Sequence, residues 1–272
     1  LHLSVHSFPT RRSSDLQVDG DFKTAIKQSI NAGVDMAMQP FNHKEFIENQ
    51  TQLATEHNGV TMERIDDAVR RILRVKFEMG LFEAPKADQS LVDTVGCQSH
   101  KEVARQAARE SVVVLKDDGI LPLSPTGTLL VAGSKADDIG AQCGGWSIEW
   151  QGGLGNITPG TTVLEAAQAR MGSENVEYRA YSSSLPQADR AIVVVGEEPY
   201  AEGAGDLFHQ GAAGFALSAQ DKAMVQAVRD AGIPMVVVLL SGRPLDIRDE
   251  LNTAEAFVAA WLPGSEGGAG IA

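Results

Sequence analysis

Residues 191–195 read Ala-Ile-Val-Val-Val, and residues 235–240 read Met-Val-Val-Val-Leu-Leu. A strand with one wet face alternates apolar and polar side chains, and these do not. An unbroken β-branched run instead marks a strand buried on both faces, the usual condition of a parallel sheet. Leu129-Leu130-Val131-Ala132 and Ala256-Phe257-Val258-Ala259-Ala260 have the same character, and residues 112–115 form a fifth run after a short helical stretch over 100–110. Helical periodicity over 161–170 and 218–231 falls between the runs. Strands alternating with helices predict a parallel, flavodoxin-like α/β sheet covered on both sides.

Working towards the N-terminus, the pattern changes. Residues 21–32 predict a helix with Phe22, Ala25, Ile26, Ser29 and Ile30 on one side and Gly33 as its stop. Residues 34–39 read as a strand closed by Pro40, and two helices follow over 43–57 and 61–79. In the second, Met62, Ile65, Val69, Ile72 and Leu73 make a stripe at helical spacing, with Thr61 placed to cap the start. Residues 85–99 dissolve into a polar connector. Residues 1–16 (LHLSVHSFPTRRSSDL) show neither a sustained period nor the apolar core of a signal peptide, and read as a foreign or disordered leader. At the other end the glycine-rich residues 264–270 should open a helix, so the chain reads as a fragment truncated at both ends.

Composition narrows the function classes. The chain has 272 residues, 43% hydrophobic and 22% charged, which is globular usage and excludes disorder, coiled coil and collagen. Its 23 basic and 36 acidic residues give a formal charge of −13, so binding to nucleic-acid phosphates is disfavoured. No apolar stretch is long enough to span a membrane. The two cysteines, Cys97 and Cys143, are spaced for neither zinc nor a redox pair, and no helical histidine pair, Walker motif, dinucleotide fingerprint or G-x-S-x-G elbow occurs.

In open parallel sheets ligands bind beyond the carboxyl ends of the strands, and two loops placed there stand out. The first is Cys143-Gly144-Gly145-Trp146-Ser147-Ile148-Glu149-Trp150-Gln151-Gly152-Gly153, which holds two of the three tryptophans among glycines. Indole faces suit the C–H faces of a sugar ring; the competing reading buries both rings in the core. The second is Gly196-Glu197-Glu198-Pro199-Tyr200-Ala201-Glu202-Gly203-Ala204-Gly205-Asp206, with four carboxylates. A general acid must keep its proton near neutral pH, and crowding by like charges with burial raises a carboxyl pKa. A solvated acidic loop is the plain alternative. Ser241-Gly242-Arg243-Pro244, after a strand, reads as a simple turn.

These loops carry a resemblance. CGGWSIEWQGG at 143–153, GTTVLEA at 160–166, GEEPYAEGAGD at 196–206, SGRPL at 241–245 and AAWLPGSEGG at 259–268 resemble the exo-glucanases and β-glucosidases of glycoside hydrolase family 3. So do NAGVDM at 31–36, IDDAVRRIL at 65–73 and ARESVVVLK at 108–116, in the same order. The resemblance implies a (β/α)8-type barrel followed by an α/β sandwich domain, with the active site between them. By it, 17–84 is the C-terminal remnant of the barrel domain, 85–108 a linker and 109–272 an incomplete sandwich domain.

It also implies roles. Family members are retaining enzymes in which a barrel aspartate attacks the anomeric carbon and a sandwich-domain glutamate acts as acid and then base. That glutamate matches Glu202. The aromatic clamp on the leaving-group side matches Trp150, with Trp146 deeper along the same wall. The nucleophile lies in a Ser-Asp-Trp segment; Ser14-Asp15-Leu16 departs from it in residue and in spacing. Asp15 is therefore not assigned, and the chain by itself is expected to turn over little substrate. The implied substrate is a β-glucan or β-gluco-oligosaccharide with a terminal β-D-glucosyl residue; no metal or organic cofactor is implied, and the compartment is periplasmic or secreted. The alternatives are a non-catalytic carbohydrate-binding module built on Trp150 and Trp146, and a flavodoxin-like regulatory or nucleotide-binding domain, against which the missing phosphate loop counts.

Overall fold

The four uninterrupted apolar runs form the middle of one sheet in the computed structural model, which describes residues 21–39, 42–181, 184–206 and 214–272. Residues 1–16 lie outside the described residues. The strands are β1 (Val113–Asp117), β2 (Leu129–Ala132), β3 (Val176–Arg179), β4 (Arg190–Gly196), β5 (Met235–Leu240) and β6 (Ala256–Trp261), in the order β1-β6-β5-β4-β2-β3. β3, β2, β4, β5 and β6 pair in parallel, which is the flavodoxin-like order with the chain reversal between β2 and β4. β1 differs from the expected parallel set: it lies antiparallel to β6 at the edge, with a bulge between Val114 and Lys116. An antiparallel edge strand needs no crossover helix, so its direction follows from how the preceding helix delivers the chain.

Successive residues of each strand point to opposite faces, which produces two cores. On one face Val131, Val194, Val238 and Val258 pack with Val163, Leu164 and Ala167 of α6 (Val163–Met171). On the other, Val193, Val195, Val237 and Phe257 pack with Met224, Val225 and Val228 of α7 (Ala219–Asp230). Thr162 starts α6 with a reciprocal cap: its hydroxyl accepts from Glu165 N and the Glu165 carboxylate accepts from Thr162 N. The short helices α8 (Arg248–Thr253) and α9 (Gly267–Ile271) follow β5 and β6.

The chain divides between Val92 and Asp93 into two compact units. α4 (Gln98–Ser111) falls in the same unit as the sheet and contains the short helix expected over 100–110. It is fixed there by an ion pair from Arg105 to the buried Glu266 at 2.7 Å.

In the first unit, α1 (Phe22–Asn31), α2 (His43–Thr55) and α3 (Met62–Glu78) form a small core of Ile26, Ile30, Leu53 and Val60. Asp21 and Thr61 cap α1 and α3 through Thr24 N and Arg64 N. Asp35 accepts from Arg64 at 2.6 Å, which joins the end of α1 to α3. One expectation needs correction. Residues 34–39 form no strand: a strand needs a neighbour for its backbone groups, and the described residues of this unit supply none. Along the α3 stripe Ile65 packs inward, while Met62, Val69 and Leu73 are exposed. Among the described residues no helix is long and apolar enough to cross a membrane.

Candidate active site

Both loops singled out in the sequence leave the sheet at carboxyl ends, beyond β2 and β4, on either side of the chain reversal. The first begins with α5 (Ile139–Cys143), whose N-cap Asp138 is buried. Its Oδ1 accepts from Ala141 N at 2.8 Å and from Gly155 N at 2.9 Å, so one carboxylate ties the start of α5 to the exit of the loop.

Between these points the backbone turns tightly. Trp146 N donates to Trp150 O at 3.0 Å, and Trp146 and Ile148 adopt left-handed φ values of 62° and 65°. The reading that buries both indoles is overturned: Trp146 is 68% exposed and Trp150 54%. Their ring centroids lie 6.4 Å apart at an interplanar angle of 49°, giving a tilted two-ring platform rather than a stack.

The second loop starts where Glu197 N donates to Leu240 O at 3.0 Å, extending the β4–β5 ladder by one bond. Of its four carboxylates, Glu197 is half-buried and committed: it lies 2.9 Å from Arg243 Nε and accepts from the Tyr200 hydroxyl and Gly242 N. Burial, with the Glu197 carboxylate beside it, holds the Tyr200 phenol above its usual range. Glu202 opens a 3-10 turn, Glu202–Gly205, with a left-handed φ of 50°. Its side chain is exposed, and among the described residues no hydrogen bond or ion pair engages its carboxylate. The crowding expected from four neighbouring carboxylates is thus relieved at Glu197 by a guanidinium.

The two loops touch. Ala201 N donates to Gln151 Oε1 at 2.9 Å. A Cβ added at Gly145 would lie 2.0 Å from the Tyr200 carbonyl oxygen, so the backbones approach as closely as glycine permits. Residues directly following Trp150 and directly preceding Glu202 are therefore bonded to each other. Neither Gln151 nor the interlock of Arg243 with Tyr200 was found by sequence reasoning. The only available signal for Arg243 was a lone cation at a strand end opposite an acidic loop.

Residues 112–272 match the family model described as the glycosyl hydrolase family 3 C-terminal domain. The chain is 32% identical to the lysosomal beta glucosidase of Dictyostelium discoideum, across 93% of this chain and 33% of that protein. It is 29% identical to the periplasmic beta-glucosidase of Salmonella typhimurium, across 93% of this chain and 37% of that protein. Among solved structures, a mutant of the exo-1,3/1,4-beta-glucanase from a Pseudoalteromonas species superposes with a TM-score of 0.77 at 37% identity, covering 90% of this chain and 40% of the glucanase. The chain thus spans about a third of the length of these curated relatives.

Proposed function

The chain belongs to glycosyl hydrolase family 3, and from that premise we propose that it forms part of a retaining exo-acting β-glucosidase or exo-glucanase releasing terminal β-D-glucosyl residues. In this reading Glu202 supplies the proton. Its carboxyl protonates the glycosidic oxygen as a barrel carboxylate attacks the anomeric carbon, and its carboxylate then takes a proton from the water that cleaves the glycosyl-enzyme. Trp150 and Trp146 carry the leaving-group sugar, their exposed indole faces meeting its C–H surface.

The observation that carries this reading is the Gln151–Ala201 hydrogen bond, which sets the turn bearing Glu202 against the loop bearing Trp150. The nucleophile is assigned to the barrel half and not to this chain. Retention requires that nucleophile and the acid to stand about 5 Å apart.

The test is Glu202→Gln in the intact enzyme. Hydrolysis of glucosides with poor leaving groups should fall by about 10²–10⁴, the usual worth of a general acid. Activated aryl glucosides should suffer less, and azide should restore turnover by replacing water. Unchanged activity removes Glu202 from the role. The exposed indoles favour one second reading, a carbohydrate-binding module without catalysis. Calorimetry of gluco-oligosaccharides with the intact enzyme and its Glu202→Gln variant separates the two: in the module reading both bind sugar and neither hydrolyses it.

A further inference from the structure

Arg243 follows β5, its side chain only 14% exposed, and takes no part in the chemistry assigned above. It nevertheless holds the acidic loop at two points. Its Nε donates to the Tyr200 hydroxyl at 2.7 Å, and its Nη1 donates to the Gly205 carbonyl at 2.8 Å. The guanidinium carbon stands 4.2 Å from the centroid of the Tyr200 ring. Tyr200 lies just before the turn that Glu202 opens, and Gly205 closes it. One planar group therefore grips both sides of the segment that carries the candidate proton donor.

The rest of the arrangement serves the same grip. Glu197 Oε1 neutralises Arg243 at 2.9 Å, while its Oε2 accepts from the Tyr200 hydroxyl at 3.2 Å and from Gly242 N at 3.1 Å. Gly205 sits against the Tyr200 ring, where an added Cβ would come within 2.3 Å of Cδ2. Glu202 itself has a φ of 50°, a conformation a non-glycine residue keeps only where its surroundings impose it.

We propose that Arg243 is the positioning residue of the acid/base turn: by bridging Tyr200 and Gly205 it imposes the left-handed conformation of Glu202 and so sets where the carboxyl stands. This rests on the reading of Glu202 as proton donor. It requires a guanidinium, because a lysine ammonium is a point charge that cannot hold the tyrosine and the glycine carbonyl in one plane. It also gives Glu197 a supporting part, since its carboxylate is spent on Arg243.

The test is amide hydrogen exchange across residues 201–206 in the full chain. In Arg243→Met and Arg243→Lys the amides of the turn, which include Ala204 N to Ala201 O and Asp206 N to Gly203 O, should exchange about 10–100-fold faster while those of β4 and β5 keep their protection. Unchanged exchange in the turn overturns the proposal. If Arg243→Met loosens the whole sheet, Glu197→Gln, which keeps the volume and removes the ion pair, must still free the turn selectively; if it does not, the proposal fails. In the intact enzyme, Arg243→Lys should slow alkyl glucosides about 10²-fold and leave dinitrophenyl glucoside nearly untouched. Equal loss on both substrates overturns the positioning role. The two readings fail separately: an active Glu202→Gln enzyme removes the acid, whereas a protected turn in the Arg243 variants removes only the clamp.

Discussion

Gln151 and Ala201 are joined by one hydrogen bond, 2.9 Å from the side-chain carbonyl of the first to the backbone N–H of the second, and they flank Trp150 and Glu202 respectively. Gln151→Ala removes the acceptor and strands a half-buried N–H, which should cost about 1 kcal/mol in denaturant unfolding. Gln151→Glu keeps an acceptor oxygen and should retain most of that stability. Equal stability of the alanine and glutamate variants would show that the bond ties nothing.

The indoles stand in solvent, so their removal should spare the fold. Trp150→Ala and Trp146→Ala should change unfolding free energy by no more than about 0.5 kcal/mol, as surface substitutions do. In the intact enzyme Trp150→Ala should weaken oligosaccharide binding roughly two- to tenfold. Calorimetric melting and titration measure the two effects, and a collapsed melting transition would return the rings to the core.

Gly145 packs where no side chain fits. A Cβ there would meet the Tyr200 carbonyl oxygen at 2.0 Å, so Gly145→Ala must push the two loops apart. Overpacking of this kind costs about 1–3 kcal/mol. The variant should melt lower, and emission from the loop tryptophans should change.

Asp221, 1% exposed at the start of α7, carries a pH prediction. Its Oδ2 lies 3.5 Å from Gly196 N, and its Oδ1 is buried without a hydrogen-bond partner among the described residues. Burial pushes its pKa up, opposed by a hydrogen bond with Ser218 and by Lys135, while Glu198 adds to the rise. A carboxyl whose folded pKa is raised contributes stability that is complete below its unfolded pKa and is lost as pH climbs through the folded one. Asn does not titrate. The melting temperature of Asp221→Asn relative to the natural chain should therefore be higher at pH 7 than at pH 4; no change with pH would refute the assignment.

The parallel core was readable because β2, β4, β5 and β6 are buried on both faces, and only an unbroken apolar run satisfies that. β3 escaped notice: Val-Glu-Tyr-Arg at the sheet edge mixes polar residues with apolar ones and resembles a loop. Residues 34–39 failed for the opposite reason. Their Met36 and Met38 look like strand residues, yet pairing depends on a neighbour that local sequence does not encode. At the site, residue types singled out the two loops, and the family resemblance then pointed to Glu202, Trp150 and Trp146 within them. Gln151 and Arg243 stayed hidden because each acts through a contact 43–50 residues away, and a glutamine or an arginine in a loop announces no such contact.

The exposed rings and the Glu202 turn hang from strands whose own side chains never reach the rim, since β2 is buried throughout and β4 almost so. Rim and floor are consequently separable units for engineering. A library randomising positions 146–150, with Gly145 and Gln151 held fixed as its fastenings, would inherit an intact scaffold and vary only the exposed two-ring surface.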